Sequence, residues 1–276
     1  MNTPSVVPDP SFVAKPVLLR AQEDAIAILT LNHPQTRNSL SEAMLTALGA
    51  ALSAIAEDPG VRVVVLTAHG PAFCSGHDLK ELVAHRADAD GGQEFYAHIT
   101  RMCSAVMQQI VRLPQPVIAA IQGIATAAGC QLVATCDLAV ASSAAKFATP
   151  GVDIGLFCST PMVALSRNVP SKSAMEMLLT GQSITAEEAH RIGLLNRVVV
   201  PGSEAESALA LARQIAEKSS LIVKIGKEAF YRQREMGLVE AYEYASNVMV
   251  ENLLTRDAQE GIWAFVDKRP PSWEDR

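Results

Sequence analysis

The chain has 276 residues, 49% of them hydrophobic and 19% charged, with a formal net charge of -6. That is enough apolar material for a substantial core in one large domain or two small ones, and it excludes an intrinsically disordered chain. The charge balance lacks the basic footprint of a nucleic-acid binder, while leaving room for a local cluster that meets one phosphorylated ligand.

The opening segment, MNTPSVVPDPSFVAK, has neither an unbroken apolar stretch nor an Arg-rich amphipathic pattern, so no leader is expected. No apolar run reaches the roughly 18 residues of a membrane span. AIAILTL (25–31) and VRVVVLTA (61–68) read as strands: short, rich in β-branched residues and bounded by turn formers. Between them, Met44, Leu45, Leu48, Leu52 and Ile55 share one face of a helix. A second helix is predicted through QEFYAHITRMCSAVMQQIVRL. PVIAAIQG (116–123) and DLAVAS (137–142) follow as strands, separated by the small-residue segment TAAGCQLVATC. Strands alternating with helices indicate an α/β fold with buried, parallel-type strands.

From about residue 160 the pattern turns helical. TAEE (185–188) and SEAE (203–206) match capping boxes, Gly193 is placed to stop the first of those helices, and Pro201 precedes the second. Residues 238–266 read as further amphipathic helix that packs on the core or on a neighbouring subunit. The five cysteines, odd in number and without a CxxC pair, sit among apolar or small residues. They read as buried thiols in a reducing compartment. The six histidines lack metal-ligand spacing, so no metal is expected. Together these features predict a cytoplasmic protein.

Two segments lie where a predicted strand gives way to a helix: GPAFCSGHDLKEL (70–82) and GIATAAGCQL (123–132). Exposed amides at a helix start favour negative charge, and two such turns facing each other make a two-donor oxyanion hole. Two ordinary tight connections would look the same from spacing alone.

The wording of these segments resembles the crotonase superfamily, which includes enoyl-CoA hydratases and isomerases, and looks closest to its hydratase domain-containing members of undefined activity. The likeness runs from NHPQTRNSLS (32–41) through SGHDLKEL, PVIAAIQG, AAGCQLVATCDLAVAS and KFATPGVDIG to EGIWAFVDKRPP. It implies an α/β spiral of strand-strand-helix units with a C-terminal helical trimerisation region. The corresponding divisions are an N-terminal extension at 1–16, a core at 17–200 and a helical region at 201–276. It also implies an acyl-CoA thioester as ligand, a homotrimer or dimer of trimers, and no cofactor beyond the coenzyme A of the substrate. Neither a nucleic acid nor a membrane is expected as a partner.

By motif position the resemblance makes the amides of His77 and Ala128 the oxyanion donors, each worth about 3 to 4 kcal/mol in such sites. Hydratases of the family use two glutamates, one for the water and one for the carbon. The matching positions here are Gln131 and Gly151, which carry no titratable proton. Asp153 could return to the face of Gly151 if the segment is extended, or it could cap locally. The His77 imidazole titrates near neutrality and either approaches the thioester or faces away. Relatives that decarboxylate methylmalonyl-CoA share the GHD wording and place a tyrosine near the position of Cys158, here read as a buried thiol. Lys80 and Lys268 match positions that meet the nucleotide, and Arg37 is a further basic candidate near the adenosine end, with Asp78 and Leu79 alongside. Each lysine could equally be solvated surface, and Asp78 reads foremost as a helix cap. A binding protein that has lost catalysis stays open.

Overall fold

The computed structural model describes residues 15–276. The extension expected over 1–16 lies outside the described residues apart from Lys15 and Pro16. A hairpin opens the fold, with β1 (Leu18–Glu23) antiparallel to β2 (Ile26–Leu31). Helix α1 (Glu42–Ala56) follows, capped by the Ser41 hydroxyl, which accepts from the Met44 amide, and its five apolar positions are buried as the period requires.

The chain then winds through repeated units. The first holds β3 (Val63–Ala68), β4 (Ala72–Cys74), α2 (Leu79–Ala84) and α3 (Gln93–Arg112). The second holds β5 (Val117–Ile121), β6 (Ile124–Thr126) and α4 (Ala128–Thr135). The third holds β7 (Leu138–Ser142), β8 (Lys146–Ala148), a 3-10 turn at Pro150–Ile154, α5 (Ser159–Asn168) and α6 (Ser171–Thr180). After β9 (Ile184–Thr185), α7 (Ala186–Arg191) and β10 (Arg197–Val199) come four helices: α8 (Glu204–Ala216), α9 (Ser220–Gln233), α10 (Leu238–Leu253) and α11 (Arg256–Val266).

Each winding contributes one strand to each of two sheets. The larger has the order β1-β2-β3-β5-β7-β10 and is parallel from β2 onward. The smaller has the order β4-β6-β8-β9, parallel except at β8 and β9. The main core lies inside the spiral, where Leu29, Leu66, Phe73, Ile121 and Phe147 meet α1, α3 and α4. Burying each such side chain is worth about 1.5 to 3 kcal/mol. A smaller cluster on the outer face joins Ile26, Val63, Val65, Ile118 and Val140 to Ala208 and Ala212 of α8. Packing therefore ties α8 to the spiral.

The helical pattern over 238–266 is two helices, broken at Thr255, whose hydroxyl accepts from the Ala258 amide. TAEE works as expected, with the Thr185 hydroxyl accepting from the Glu188 amide, and Gly193 follows α7 at φ +85°. Ser203 makes no side-chain cap. Instead the Glu204 carboxylate accepts from the Gly202 amide.

Candidate active site

Strands β4 and β6 are parallel neighbours, so the turns that follow them, 75–78 and 127–128, emerge side by side. Gly76 sits at φ +89°. A Cβ placed there would lie 2.9 Å from the Ala127 Cβ and 3.2 Å from the Ala128 amide nitrogen. Only glycine permits both this conformation and this approach. The Thr126 hydroxyl donates to the Ser75 carbonyl at 3.1 Å, fastening the second turn to the first. Gly129 closes the other side, because a Cβ there would meet the Cys74 carbonyl oxygen at 2.1 Å.

Ala127 carries backbone strain, at φ 50° and ψ -121°, a region that alanine rarely visits. It is held by its amide donating to the Ala148 carbonyl and its carbonyl accepting from the Gln131 amide. The bend starts α4 at Ala128. Among the described residues, the amides of His77 and Ala128 have no protein acceptor.

The segment before α1 braces the first turn from its far side. The Leu40 amide donates to the Gly76 carbonyl at 2.7 Å, and the Ser75 amide to the Arg37 carbonyl. Asn38, fully buried at φ 55°, accepts from the His33 amide and donates to the carbonyls of His69 and Ala72. Its role went unread in the sequence, although a lone amide inside TRNSL is the kind of residue that organises a loop.

Asp78 caps α2 by accepting from the Lys80 amide, and it also accepts from the Ser39 hydroxyl. Partial burial opposes its ionisation, but these bonds outweigh it and hold the carboxyl below its ordinary range. It is a committed acceptor that fixes the turn. His77 projects inward, with both ring nitrogens buried and no hydrogen-bond partner for either among the described residues. Burial lowers the imidazole pKa, opposed in part by the nearby Leu40 backbone, so the ring is neutral at pH 7.

Gln131 is buried one turn into α4, and its side-chain oxygen has no partner. It also lines a cavity of about 990 Å³ between α3, α4, α5 and α9. His77, Ala128, Gly151 and Asp153 do not line that cavity. Gly151 is enclosed: a Cβ would fall 2.7 Å from the Leu156 carbonyl oxygen and 2.9 Å from the Cys158 sulfur.

Of the two readings open for Asp153, the structure does not support its return to the Gly151 face. Pro150 starts a 3-10 turn here, so the alternation of an extended segment does not apply. The Asp153 carboxylate lies on the exposed side against Gly181, beyond α6. Cys158 is buried, and desolvation raises its pKa, as burial also pushes Cys74, Cys103 and Cys130 up to about 12. Arg37, Leu79 and Lys80 are exposed around the first turn. Lys268 follows α11 at φ 54°, exposed, with no hydrogen bond or ion pair to the 75–80 segment. The structure thus brings together 76–80, 126–128 and Gln131, and leaves Asp153 and Lys268 outside that group.

This spiral of paired strands with two helix-starting turns against each other is the crotonase type of α/β fold. The family model for enoyl-CoA hydratase/isomerase matches residues 21–276. The chain belongs to the enoyl-CoA hydratase/isomerase family. It is 48% identical over 252 residues to the rat enoyl-CoA hydratase domain-containing protein 3, mitochondrial, covering 91% of this chain and 82% of that one. Among solved structures, an enoyl-CoA hydratase from Mycobacterium smegmatis superimposes with a TM-score of 0.89 at 50% identity, covering 94% of this chain and 99% of its own. The human enoyl-CoA hydratase domain-containing protein 3 superimposes with a TM-score of 0.88 at 48% identity, covering 93% and 100%.

These relatives correct the expected cytoplasmic location. The rat, mouse, human and frog proteins are all named mitochondrial. Buried thiols cannot separate one reducing compartment from another, because the same packed core protects them in either.

Proposed function

We propose that this protein binds acyl-CoA thioesters and stabilises negative charge on the thioester oxygen with the main-chain amides of His77 and Ala128. The observation carrying this reading is the contact of the two turns at Gly76, beside two amides that have no acceptor among the described residues. Such amides meet the charge that develops on a carbonyl oxygen when an enolate forms at the next carbon. Strain at Ala127 fits a backbone held for a ligand. The reading needs no cofactor beyond the coenzyme A of the substrate, for whose phosphates the exposed Lys80 and Arg37 are the proposed partners.

Hydration by a carboxylate pair is not part of the reading. Gln131 can hold a water or a carbonyl but cannot take its proton, and Gly151 has no room for a side chain. The protein is therefore expected to bind acyl-CoA tightly and to hydrate crotonyl-CoA near background. Loss of the conjugated-thioester absorbance at a working hydratase's rate would overturn this.

A second reading is favoured by the partnerless His77 imidazole. Loss of CO₂ from malonyl- or methylmalonyl-CoA breaks the carbon–carboxylate bond and leaves its electron pair in the enolate. Protonation at carbon then completes the reaction, and no base is required. CO₂ release with formation of the shortened acyl-CoA distinguishes this activity from binding alone.

A further inference from the structure

The cavity behind Gln131 is not used by the chemistry described so far. Helix α4 leads into it from Ala128, and Thr135, two turns along, lies roughly 10 Å further at 1.5 Å per residue. Helix α5 runs beside it, and Asn168 at its end donates to the Ala134 carbonyl at 2.7 Å. Its lining includes the apolar side chains of Met107, Val111, Val163 and Ala164.

The same lining carries Arg112, Arg167, Lys224, Arg232 and Arg234 with two carboxylates, Glu228 and Glu235, in a chain whose overall balance is acidic. Arg167 pairs with Glu235, but the guanidinium of Arg112 donates only to the Gln108 amide oxygen. Arg232 stacks over the Tyr244 ring, and Lys224 has no hydrogen-bond or ion-pair partner among the described residues. Like charges lining one cavity repel one another, and a bound anion relieves that repulsion.

We propose that this cavity selects acyl groups that end in a carboxylate, so that the preferred ligand is an ω-carboxyacyl-CoA of medium length. The inference rests on the thioester being held at His77 and Ala128: the apolar walls then cover the methylenes, and the far carboxylate reaches the cations around Arg112 and Lys224. A guanidinium and an ammonium both suit a carboxylate that stays partly solvated. A phosphate of coenzyme A has the same chemistry, and titration with free coenzyme A separates the two.

The test is calorimetric titration of the full chain with suberyl-CoA, octanoyl-CoA and free coenzyme A. Suberyl-CoA is expected to bind about tenfold or more tighter than octanoyl-CoA, the worth of one charge-assisted contact. The preference should shrink as salt is raised, and the double variant Arg112→Gln, Lys224→Gln should bring suberyl-CoA to the octanoyl-CoA level. Equal binding of the two thioesters overturns the inference and leaves the acyl-CoA reading standing. An equal loss of free coenzyme A affinity in the double variant also overturns it, by assigning the cations to the nucleotide. If neither thioester binds better than free coenzyme A, the reading of the oxyanion turns fails, and the inference falls with it.

Discussion

Gly151 and Cys158 touch through space that no side chain can enter: the position of a Cβ on residue 151 is 2.9 Å from the Cys158 sulfur. A glutamate introduced there must move the 155–158 turn, whose Leu156 amide donates to the Gly151 carbonyl. Overpacking of this kind costs about 1 to 3 kcal/mol. Gly151→Glu is expected to lower the melting temperature clearly. Gln131→Glu, made in a helix with a cavity beside it, should fold and stay near background in crotonyl-CoA hydration. A double variant of wild-type stability that hydrates crotonyl-CoA would show that the turn yields easily and that the two missing carboxylates were the sole deficit.

His77 separates main-chain from side-chain function. Its amide survives replacement, so His77→Ala should keep acyl-CoA affinity within about threefold, less than one ordinary hydrogen bond is worth. Loss of binding in that variant, with the melting curve unchanged, would transfer the role to the imidazole.

The same histidine sets a pH dependence. Its folded pKa lies below the ordinary histidine value of about 6.5, because burial disfavours the charged ring. Between those two values the unfolded chain binds the extra proton more readily, so stability rises with pH and is lost as the solution is acidified below about 6.5. The drop in melting temperature between pH 7.5 and pH 5.5 should therefore be smaller in His77→Gln than in the wild type. An identical drop would mean that the ring gains a proton without cost in the fold.

Helix α9 is fastened to the spiral by one buried cation. The Lys227 ammonium lies 2.6 Å from Asp137 and also donates to the carbonyls of Ile110 and Gln115, while the Tyr231 hydroxyl donates to the other Asp137 oxygen. Burial lowers the lysine pKa, and Asp137 opposes that shift. Asp137→Ala strands the ammonium and should cost about 3 to 5 kcal/mol, whereas removing both charges in Asp137→Ala, Lys227→Met should cost markedly less. Chemical denaturation of the two variants decides it, and equal losses would mean that the pair is not coupled.

Long elements with a single period were legible from sequence: α1 and α3 end within a residue of their patterns, and β2, β3, β5 and β7 stand where the β-branched runs lie. The smaller sheet was not, because AFC, IAT and KFA are three-residue strands whose pairing is set entirely by neighbouring windings. The glycine turns could be located but not shown to face each other without those strands. Asp153 stayed open between two readings because a proline-led turn looks extended when read in steps of two. The Lys227–Asp137 pair joins residues 90 positions apart, a separation at which local pattern carries no signal.

The last two helices leave apolar surface in the open. Val239 on α10 is 83% exposed, Leu254 just beyond it 73%, and Phe265 on α11 85%. An apolar face of this kind marks a protein interface, and closed symmetric assembly of identical chains is its usual partner. We propose that copies of this chain cover it, as a homotrimer or dimer of trimers. Light scattering coupled to size exclusion should give a mass three or six times that of the chain, and the variant Val239→Lys, Phe265→Lys should lower it while helicity by circular dichroism stays unchanged. A wild-type mass equal to one chain would remove self-association as the reason for these side chains, and the unchanged helicity of the variant would then show that they are not needed for the fold either.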